Sequence, residues 1–276
     1  MDHQTPLWFT GLKYIVYALL LANVFFFLQE EMRALEHTFS DGFTAGDIIQ
    51  AFAATIDTGA WVILLLLFEL ETSVLPDELI KGRVKWGLHG IRAICYVFIV
   101  YAFYGYVVEL QMLYKVAPLA TVDACTLLGE DWSLLVTIDE YLLLGTANCI
   151  EVGTELWQVG GFNIVADSAV LQDVQWLAWT DVFNAAAWIL VVLVLEFDVR
   201  LQLRGGINLR LMRTNLVVKG FLYSVLLGAA VYWWFEGDFL DFWDAFLWLF
   251  AFVFIESNLF AWQAETLEQN LEIAEH

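Results

Sequence analysis

Long apolar runs separated by polar connections make up most of the chain. Six segments are apolar for about 20 residues or more, which as helices cross a hydrocarbon core roughly 30 Å thick. They run approximately over 8–28, 48–68, 88–108, 176–195, 214–235 and 242–262. The stretch from Trp61 to Phe68 reads WVILLLLF and lacks the alternation of a membrane-barrel strand. The pattern predicts an all-α, polytopic membrane protein with six transmembrane helices.

The composition agrees with a lipid environment. Hydrophobic residues make up 61% of the chain and charged residues 16%, whereas soluble domains carry about 25% charge. The lipid bilayer is therefore the expected partner of most of the surface. Nucleic acid is not an expected partner, because no basic groove with interleaved aromatic residues occurs outside the loops that membrane topology explains.

Basic residues are concentrated on one predicted side of the membrane. Of the 12 Lys and Arg residues, only Arg33 and Lys115 fall on the other side. The remaining ten are Lys13, Lys81, Arg83, Lys85, Arg92, Arg200, Arg204, Arg210, Arg213 and Lys219. Since loops rich in Lys and Arg stay in the cytoplasm, the sequence predicts a multi-pass protein of the cell (inner) membrane with both termini cytoplasmic.

The formal charge of −21 is distributed just as unevenly. In this topology, 21 of the 33 Asp and Glu residues lie outside, where only two basic residues oppose them. An acidic outer face raises the local concentration of cations. Ordinary solvation, or adaptation to salty surroundings, is the alternative explanation.

The third connection, 110–175, is the only long one and holds two of the three cysteines. Cys125 and Cys149 are predicted to form a disulfide, because both lie on one outer loop in an oxidising compartment. The segment from Trp132 to Leu144 is too short and too charged to span. It is expected to lie on the outer surface as an amphipathic helix.

A pattern recurs in register in the second, fourth and sixth apolar segments. It consists of Asp or Asn, three residues, Trp, seven apolar residues and Glu. The three copies are Asp57–Trp61–Glu69, Asn184–Trp188–Glu196 and Asp244–Trp248–Glu256. Three matches on three predicted spans indicate an internal repeat.

The odd-numbered segments repeat as well, with a basic residue four positions before a Tyr. The copies are Lys13–Tyr17, Arg92–Tyr96 and Lys219–Tyr223. The chain is therefore divided into three hairpins, 1–72, 73–204 and 205–276. Because each hairpin starts in the cytoplasm, they are expected to surround a pseudo-threefold axis along the membrane normal.

The repeated charges oppose their own helix dipoles. Each basic residue lies near a helix N-terminus and each Glu near a C-terminus, so pairing them relieves both penalties. The predicted pairs are Lys13–Glu69, Arg92–Glu196 and Lys219–Glu256, or the same residues shifted by one hairpin. Independent snorkelling to the headgroups is the alternative. Glu71 and Asp198 are expected to be solvated.

The polar residues deeper in the membrane are the candidates for function. Asp57, Asn184 and Asp244 lie twelve residues before the glutamates, about 18 Å further from the cytoplasm. An ionisable group at that depth faces protein or water and is a functional candidate, although an interhelical hydrogen bond is an equal alternative. The tryptophans of the repeat, Trp61, Trp188 and Trp248, are expected to be packing anchors.

Two functions remain open from the sequence. The acidic outer face and the repeated carboxylates favour a transporter or channel for a small cation, with the Glu and basic pairs as an inner gate. The lack of helix breaks favours an accessory or scaffold subunit that docks against other membrane proteins or itself, because transporter sites usually use discontinuous helices with Gly or Pro interruptions. No enzyme, cofactor or metal motif is present, since the four histidines are scattered and no nucleophile or phosphate-loop pattern occurs.

Overall fold

The computed structural model describes residues 7–38, 51–71, 75, 81–119, 123–150, 152–153, 155–203 and 209–255. Six α-helices occur in these residues. They are α1 (Leu7–Thr38), α2 (Ala53–Glu69), α3 (Gly82–Tyr114), α4 (Ser168–Leu203), α5 (Leu209–Glu236) and α6 (239–255). Each one overlaps an apolar segment of the sequence, so the fold is mostly helical as predicted.

Within the described residues, four of the helices are long and apolar enough to cross a membrane. They are Trp8–Leu35, Gly82–Tyr114, Ser168–Phe197 and Thr214–Glu236. Only 28% to 39% of the residues in their most apolar windows are buried inside the protein, and Trp86 remains 79% exposed. So large an apolar surface is compatible with lipid and not with water. The chain is therefore a membrane protein.

The two remaining helices are shorter. α2 has 17 residues, about 26 Å at 1.5 Å per residue, and the described part of α6 is 239–255. Both contribute buried side chains to the bundle, such as Trp61 and Leu65 from α2 and Trp248 and Ala251 from α6. The count of six spans and the repeat of three hairpins stay predictions.

Helices that follow one another in sequence are also neighbours in the bundle. α2 contacts α1 and α3, and α4 contacts α3 and α5. One apolar core includes side chains from all six helices, among them Leu20, Ile99, Val191 and Leu226. A tightly filled core of this kind holds the helices in fixed relative positions.

The connection between α3 and α4 forms a five-stranded sheet at one end of the bundle, named here the sheet end; the opposite end is the far end. The strands are β1 (Val116–Pro118), β2 (Ser133–Leu135), β3 (Tyr141–Leu143), β4 (Leu156–Val159) and β5 (Ile164–Asp167). Their order is β1-β4-β5-β2-β3, with β2 and β5 parallel and the other neighbours antiparallel. Leu135 and Ile164 of the sheet share a core with Leu113 and Val174 of the helices.

The prediction of a surface helix from Trp132 to Leu144 is wrong, because this segment contains the hairpin of β2 and β3. Leu135 pairs with Tyr141, and in the turn the Glu140 N–H donates to Thr137 Oγ1 at 3.1 Å. The burial pattern along β2 has the period of two that a strand requires. The all-α fold class therefore applies to the bundle and not to the connection.

Two glycines make the turn between β4 and β5. Gly160 and Gly161 have φ angles of +66° and +83°, a region that glycine occupies without steric cost. A Cβ on Gly160 would lie 2.7 Å from Met112 Cγ and 2.8 Å from Phe162 Cδ2. The turn therefore packs closely on the end of α3. A Gly-Gly pair between apolar runs is a hairpin signal that was present in the sequence.

Cys125 and Cys149 are bonded to each other, with their Cα atoms 4.9 Å apart. Cys125 lies in a short 3₁₀ helix, Ala124–Leu127. Cys149 belongs to a small apolar cluster with Trp132 and Leu156. The bond ties the segment before β2 to the segment after β3.

Candidate functional site

Two adjoining cavities lie within the bundle toward the sheet end. The first, named the sheet-side cavity, has a volume of about 90 Å³, and the second, named the midbundle cavity, has about 40 Å³. Both exceed the roughly 10–15 Å³ that one water molecule needs. Their common wall consists of Phe27, Tyr106, Asn184, Trp233 and Asp241.

Carboxylates from five elements line the sheet-side cavity. They are Glu30 and Glu31 of α1, Glu109 of α3, Asp139 of the β2–β3 turn, Asp181 of α4 and Asp241 of α6. No Lys or Arg of the described chain lines it. The Asp, Glu, Lys and Arg content of its described lining is therefore entirely acidic, and the cavity has room for water or a cation.

Two carboxylates of this cavity, Asp139 and Asp241, form a close group with Asp238 of the turn that precedes α6. One oxygen each from Asp139, Asp238 and Asp241 lies within 4.8 Å of the other two. Burial raises the pKa of Asp139 well above its usual value, and the charge of Glu109 raises it further. Burial also raises the pKa of Asp238. Negative charge is therefore costly at this point unless something neutralises it.

A tight turn between α5 and α6 places two of these carboxylates. Gly237 has a φ of +87°, and the N–H groups of Gly237 and Asp238 both donate to the Trp233 carbonyl at 3.0 Å, which ends α5. Asp238 Oδ1 then accepts the N–H of Asp241 at 3.3 Å and caps the start of α6. Both carboxylates thus lie at a helix N-terminus, where the dipole favours negative charge.

Glu31, another carboxylate of the sheet-side cavity, also caps the start of a helix. Its side chain accepts the N–H of Ala54 at 2.7 Å and of Thr55 at 3.2 Å, together with the Thr55 hydroxyl. The two N–H groups are backbone donors of the first turn of α2, which no intrahelical carbonyl can satisfy. A carboxylate of α1 therefore caps α2, and Glu31 is not a free ligand.

The midbundle cavity brings together the three polar residues of the recurring sequence pattern, Asp57, Asn184 and Asp244. Asp57 Oδ1 accepts the indole N–H of Trp61 at 3.0 Å, and Asp244 Oδ1 accepts Asn23 Nδ2 at 2.7 Å. Asn184 Oδ1 is buried and has no hydrogen-bond partner among the described residues. The bond between Asp244 and Asn23 is an interhelical hydrogen bond, whereas the bond of Asp57 stays within its own helix.

The three tryptophans of the repeat meet at this cavity. The ring centroids of Trp61 and Trp188 each lie 6.3 Å from that of Trp248, and all three side chains are buried. Each Trp follows its Asp or Asn by one helical turn in the direction of the far end. The indoles therefore separate the cavity from the apolar core beyond it.

The far end contains a buried ion pair. Lys13 Nζ lies 2.6 Å from Glu69 Oε1, which also accepts the hydroxyl of Tyr14 at 3.1 Å. Lys13 is 7% and Glu69 4% exposed. The structure thus brings together the two residues that the repeat pattern paired in the first hairpin.

The second predicted pair has a different partner. Arg92 Nη2 lies 2.7 Å from Glu71 Oε2, two residues beyond the end of α2. Arg92 therefore pairs with Glu71 and not with Glu196. The expectation that Glu71 is solvated is corrected by this contact, because Glu71 follows Glu69 by two residues and faces α3. Glu196 is exposed and Lys219 half-buried. Glu256 and the side chain of Asp198 lie outside the described residues.

The carboxylates of the sheet-side cavity were missed by pattern reasoning. Glu109, Asp139, Asp181 and Asp241 match no repeat, and their only sequence signal is the excess of acidic residues at one end of the spans. Their convergence depends on a hairpin turn that folds back onto the bundle. A search for repeated positions could not find it.

Comparisons with known proteins provide no function for the chain. No protein-family model matches it, and no curated protein or solved structure is detectably similar.

Proposed function

We propose that the chain is a membrane transporter or channel for a small cation. The observation that supports this most is the pair of adjoining cavities, which leads from the carboxylates of the sheet end to Asp57 and Asp244 inside the bundle. A cavity at membrane depth with carboxylates and no basic side chain in its described lining favours cations over anions.

The proposed path has three parts. The sheet-side cavity raises the local cation concentration. The midbundle cavity provides oxygen ligands from Asp57, Asn184 and Asp244, which replace part of the water shell of the ion. Beyond the tryptophans, the buried pair of Lys13 and Glu69 acts as the inner gate, since its fixed positive charge repels a cation until the pair opens.

In the proposed topology both termini are cytoplasmic and the sheet end lies outside the cell membrane. A reporter fused after Leu75 is expected to be cytoplasmic, and one fused after Gly129 is expected to be external. The opposite result at either position contradicts the orientation.

A non-transporting accessory or scaffold subunit is the second candidate. The helices in the described residues are continuous, whereas transporter sites are commonly built on broken helices. α6 also carries exposed aromatic side chains, including Phe239 at 62% and Phe250 at 42%. Such a face suits contact with lipid or with another membrane protein.

Cation flux distinguishes the two candidates. The purified full chain is reconstituted in liposomes, and the uptake of Na⁺, K⁺, H⁺ and Ca²⁺ is compared with that of protein-free liposomes. The matched variants are Asp57→Asn and Asp244→Asn, with Asp173→Asn as a control, because Asp173 is exposed near the start of α4.

The transporter or channel proposal expects flux of at least one cation, reduced about tenfold or more by the two cavity variants and unchanged by the control. A tenfold loss corresponds to about 1.4 kcal/mol of lost stabilisation, a small share of what an intramembrane carboxylate can supply to a cation. Permeability equal to that of protein-free liposomes for all four ions contradicts the proposal and favours the accessory subunit.

A further inference from the structure

We propose that Asp139, Asp238 and Asp241 form a binding site for a hard divalent cation of the Ca²⁺ type, which ties the β2–β3 turn to the turn between α5 and α6. This deepens the proposed function and rests on it, since it names the class of cation that binds beside the sheet-side cavity.

The geometry of the three carboxylates fits a single ion. Ca²⁺ binds oxygen ligands at about 2.3–2.6 Å, so two oxygens on one ion are at most about 4.6–5.2 Å apart. The three ligand oxygens lie within 4.8 Å of one another. All three can therefore contact one cation with little rearrangement.

The donor set selects the class of cation. It consists of carboxylate oxygens and contains no His or Cys, which excludes the nitrogen and sulfur environment that Zn²⁺ and Cu⁺ prefer. Three negative charges exceed what a monovalent ion neutralises. Ca²⁺ accepts irregular coordination with added water, whereas Mg²⁺ demands near-octahedral geometry.

Buried polar atoms that lack a hydrogen bond of good geometry are a second and independent observation. Trp233 is 2% exposed and lines the sheet-side cavity beside Asp241; its indole N–H interacts with Asp181 of the same cavity but makes no hydrogen bond of good geometry within the described residues. Asn184 lines the same cavity with a buried Oδ1 that lacks a hydrogen-bond partner in the described chain. A hydrated cation satisfies both, because its bound water accepts the indole N–H and donates to the amide oxygen.

The surrounding carboxylates add to the demand for positive charge. Glu109 and Asp181 line the same cavity, and both act electrostatically on Asp139. Neither Asp139 nor Asp241 has a salt-bridge partner in the described chain. Asp238 Oδ1 accepts the Asp241 N–H as a helix cap, and the side chains of Asp238 and Asp241 also interact directly with each other.

The site also links two segments that are distant in sequence. Asp139 belongs to the hairpin of the sheet, whereas Asp238 and Asp241 belong to the helical bundle. A bound ion therefore holds the hairpin turn, with Ile138 and Tyr141, against the cavity that these residues line. Removal of the ion leaves mutual repulsion of the carboxylates in its place.

The test measures binding in detergent with the full chain and does not depend on flux. Tb³⁺ serves as a luminescent probe of Ca²⁺ sites, since Trp233 and Tyr141 in the cavity wall can transfer excitation to it. Ca²⁺, Mg²⁺ and Na⁺ are then titrated as competitors in an excess of NaCl, which screens diffuse attraction to the acidic surface. Thermal denaturation with Ca²⁺ or with EDTA is the second readout.

The variants are Asp139→Asn and Asp241→Asn, and the matched control is Asp131→Asn, an exposed carboxylate in the same region of the sheet. The proposal expects sensitised emission that Ca²⁺ displaces better than Mg²⁺, an affinity at least tenfold weaker in both variants, and an unchanged control. Asn at 241 keeps the backbone N–H that Asp238 caps, so the turn is preserved.

Equal Ca²⁺ affinity in wild type and both variants overturns the proposal, as does the absence of both emission and Ca²⁺-dependent stabilisation. If the variants do not fold, displacement of Tb³⁺ from the wild type by Ca²⁺ and not by Na⁺ supports the site, and equal displacement overturns it. Binding without any flux retains this site and removes the transport proposal, whereas flux of monovalent ions without Ca²⁺ binding does the reverse.

Discussion

Buried carboxylates have different partners at the two ends of the bundle. At the far end, Glu69 accepts hydrogen bonds from Lys13 and Tyr14 and is almost fully buried. At the sheet end, Asp139 and Asp241 lie close together, and the cavity that they line has no basic side chain in the described chain.

The difference follows from where the basic residues lie along the chain. With nearly all Lys and Arg at one end of the helices, carboxylates there acquire fixed partners that belong to the protein. Carboxylates at the other end have different partners: Glu31 accepts backbone N–H groups, and Asp139 and Asp241 are proposed ligands of a cation. A fixed pair stabilises one structure, whereas an exchangeable partner leaves a site that can bind and release.

The largest effect is expected from breaking the far-end pair. Lys13→Met leaves Glu69 buried without a cation, and loss of one partner of a fully buried pair costs about 3–5 kcal/mol. Chemical denaturation of the detergent-solubilised chain measures it, with the exposed Lys85→Met as a control of near-zero effect. The double reversal of Lys13→Glu with Glu69→Lys should regain part of the loss of either single reversal. Losses that simply add indicate that the two charges act independently.

Removal of the helix cap at the sheet end should have an intermediate effect. Glu31→Ala leaves the N–H groups of Ala54 and Thr55 without their acceptor, at a cost of about 1–3 kcal/mol. Glu31→Gln should restore most of the stability, because the amide oxygen can still accept. Hydrogen exchange at residues 54 and 55, together with the midpoint of denaturation, measures this. Equal stability of Glu31→Ala and wild type contradicts the capping role.

The second ion pair should contribute less than the first. The side chains of Arg92 and Glu71 are 32% and 21% exposed, and solvent screening reduces such a pair to about 0–1 kcal/mol. Arg92→Ala, measured by the same denaturation, should therefore lose much less stability than Lys13→Met. A loss as large as that of Lys13→Met indicates that burial is not what separates the two pairs.

The smallest effect, with the opposite sign, is expected at the sheet-side carboxylates. In EDTA, Asp139→Asn should leave stability unchanged or raise it by less than about 1 kcal/mol, because it removes repulsion between like charges at constant volume. Asp131→Asn is the control. A loss of several kcal/mol shows that Asp139 has a fixed cationic partner, and the contrast between the two ends then fails.

Much of the fold could be predicted from the apolar runs. In lipid each backbone polar group must be satisfied within its own segment, so a long apolar run is sufficient to predict a helix such as Gly82–Tyr114. The sheet could not be recognised in the same way. β2 and β3 have three residues each, too few for a period of two to stand out from a helical pattern, and only the Gly160–Gly161 turn carried a clear signal.

The candidate site, like the fold, could be predicted from the sequence only in part. The register of Asp57, Trp61 and Glu69 could be recognised because a helix repeats at a constant rise, and this register indicates which residues share a depth in the bundle. The contact partner of each residue could not be predicted from this register. Arg92 contacts Glu71, two residues after the end of α2, and not Glu196 of α4, because the packing of α3 against its neighbours decides which carboxylate Arg92 reaches.

The sequence by itself determined where the apolar helices lie, at which end the positive charge collects, and which polar residues recur at equal depth. These properties depend on residues near one another along the chain. The tertiary structure alone decided that Asp139 of a hairpin meets Asp238 and Asp241 of a helical turn, and that Glu31 caps another helix. Such contacts join distant segments, and they exist only because the second core packs the sheet against the ends of the helices.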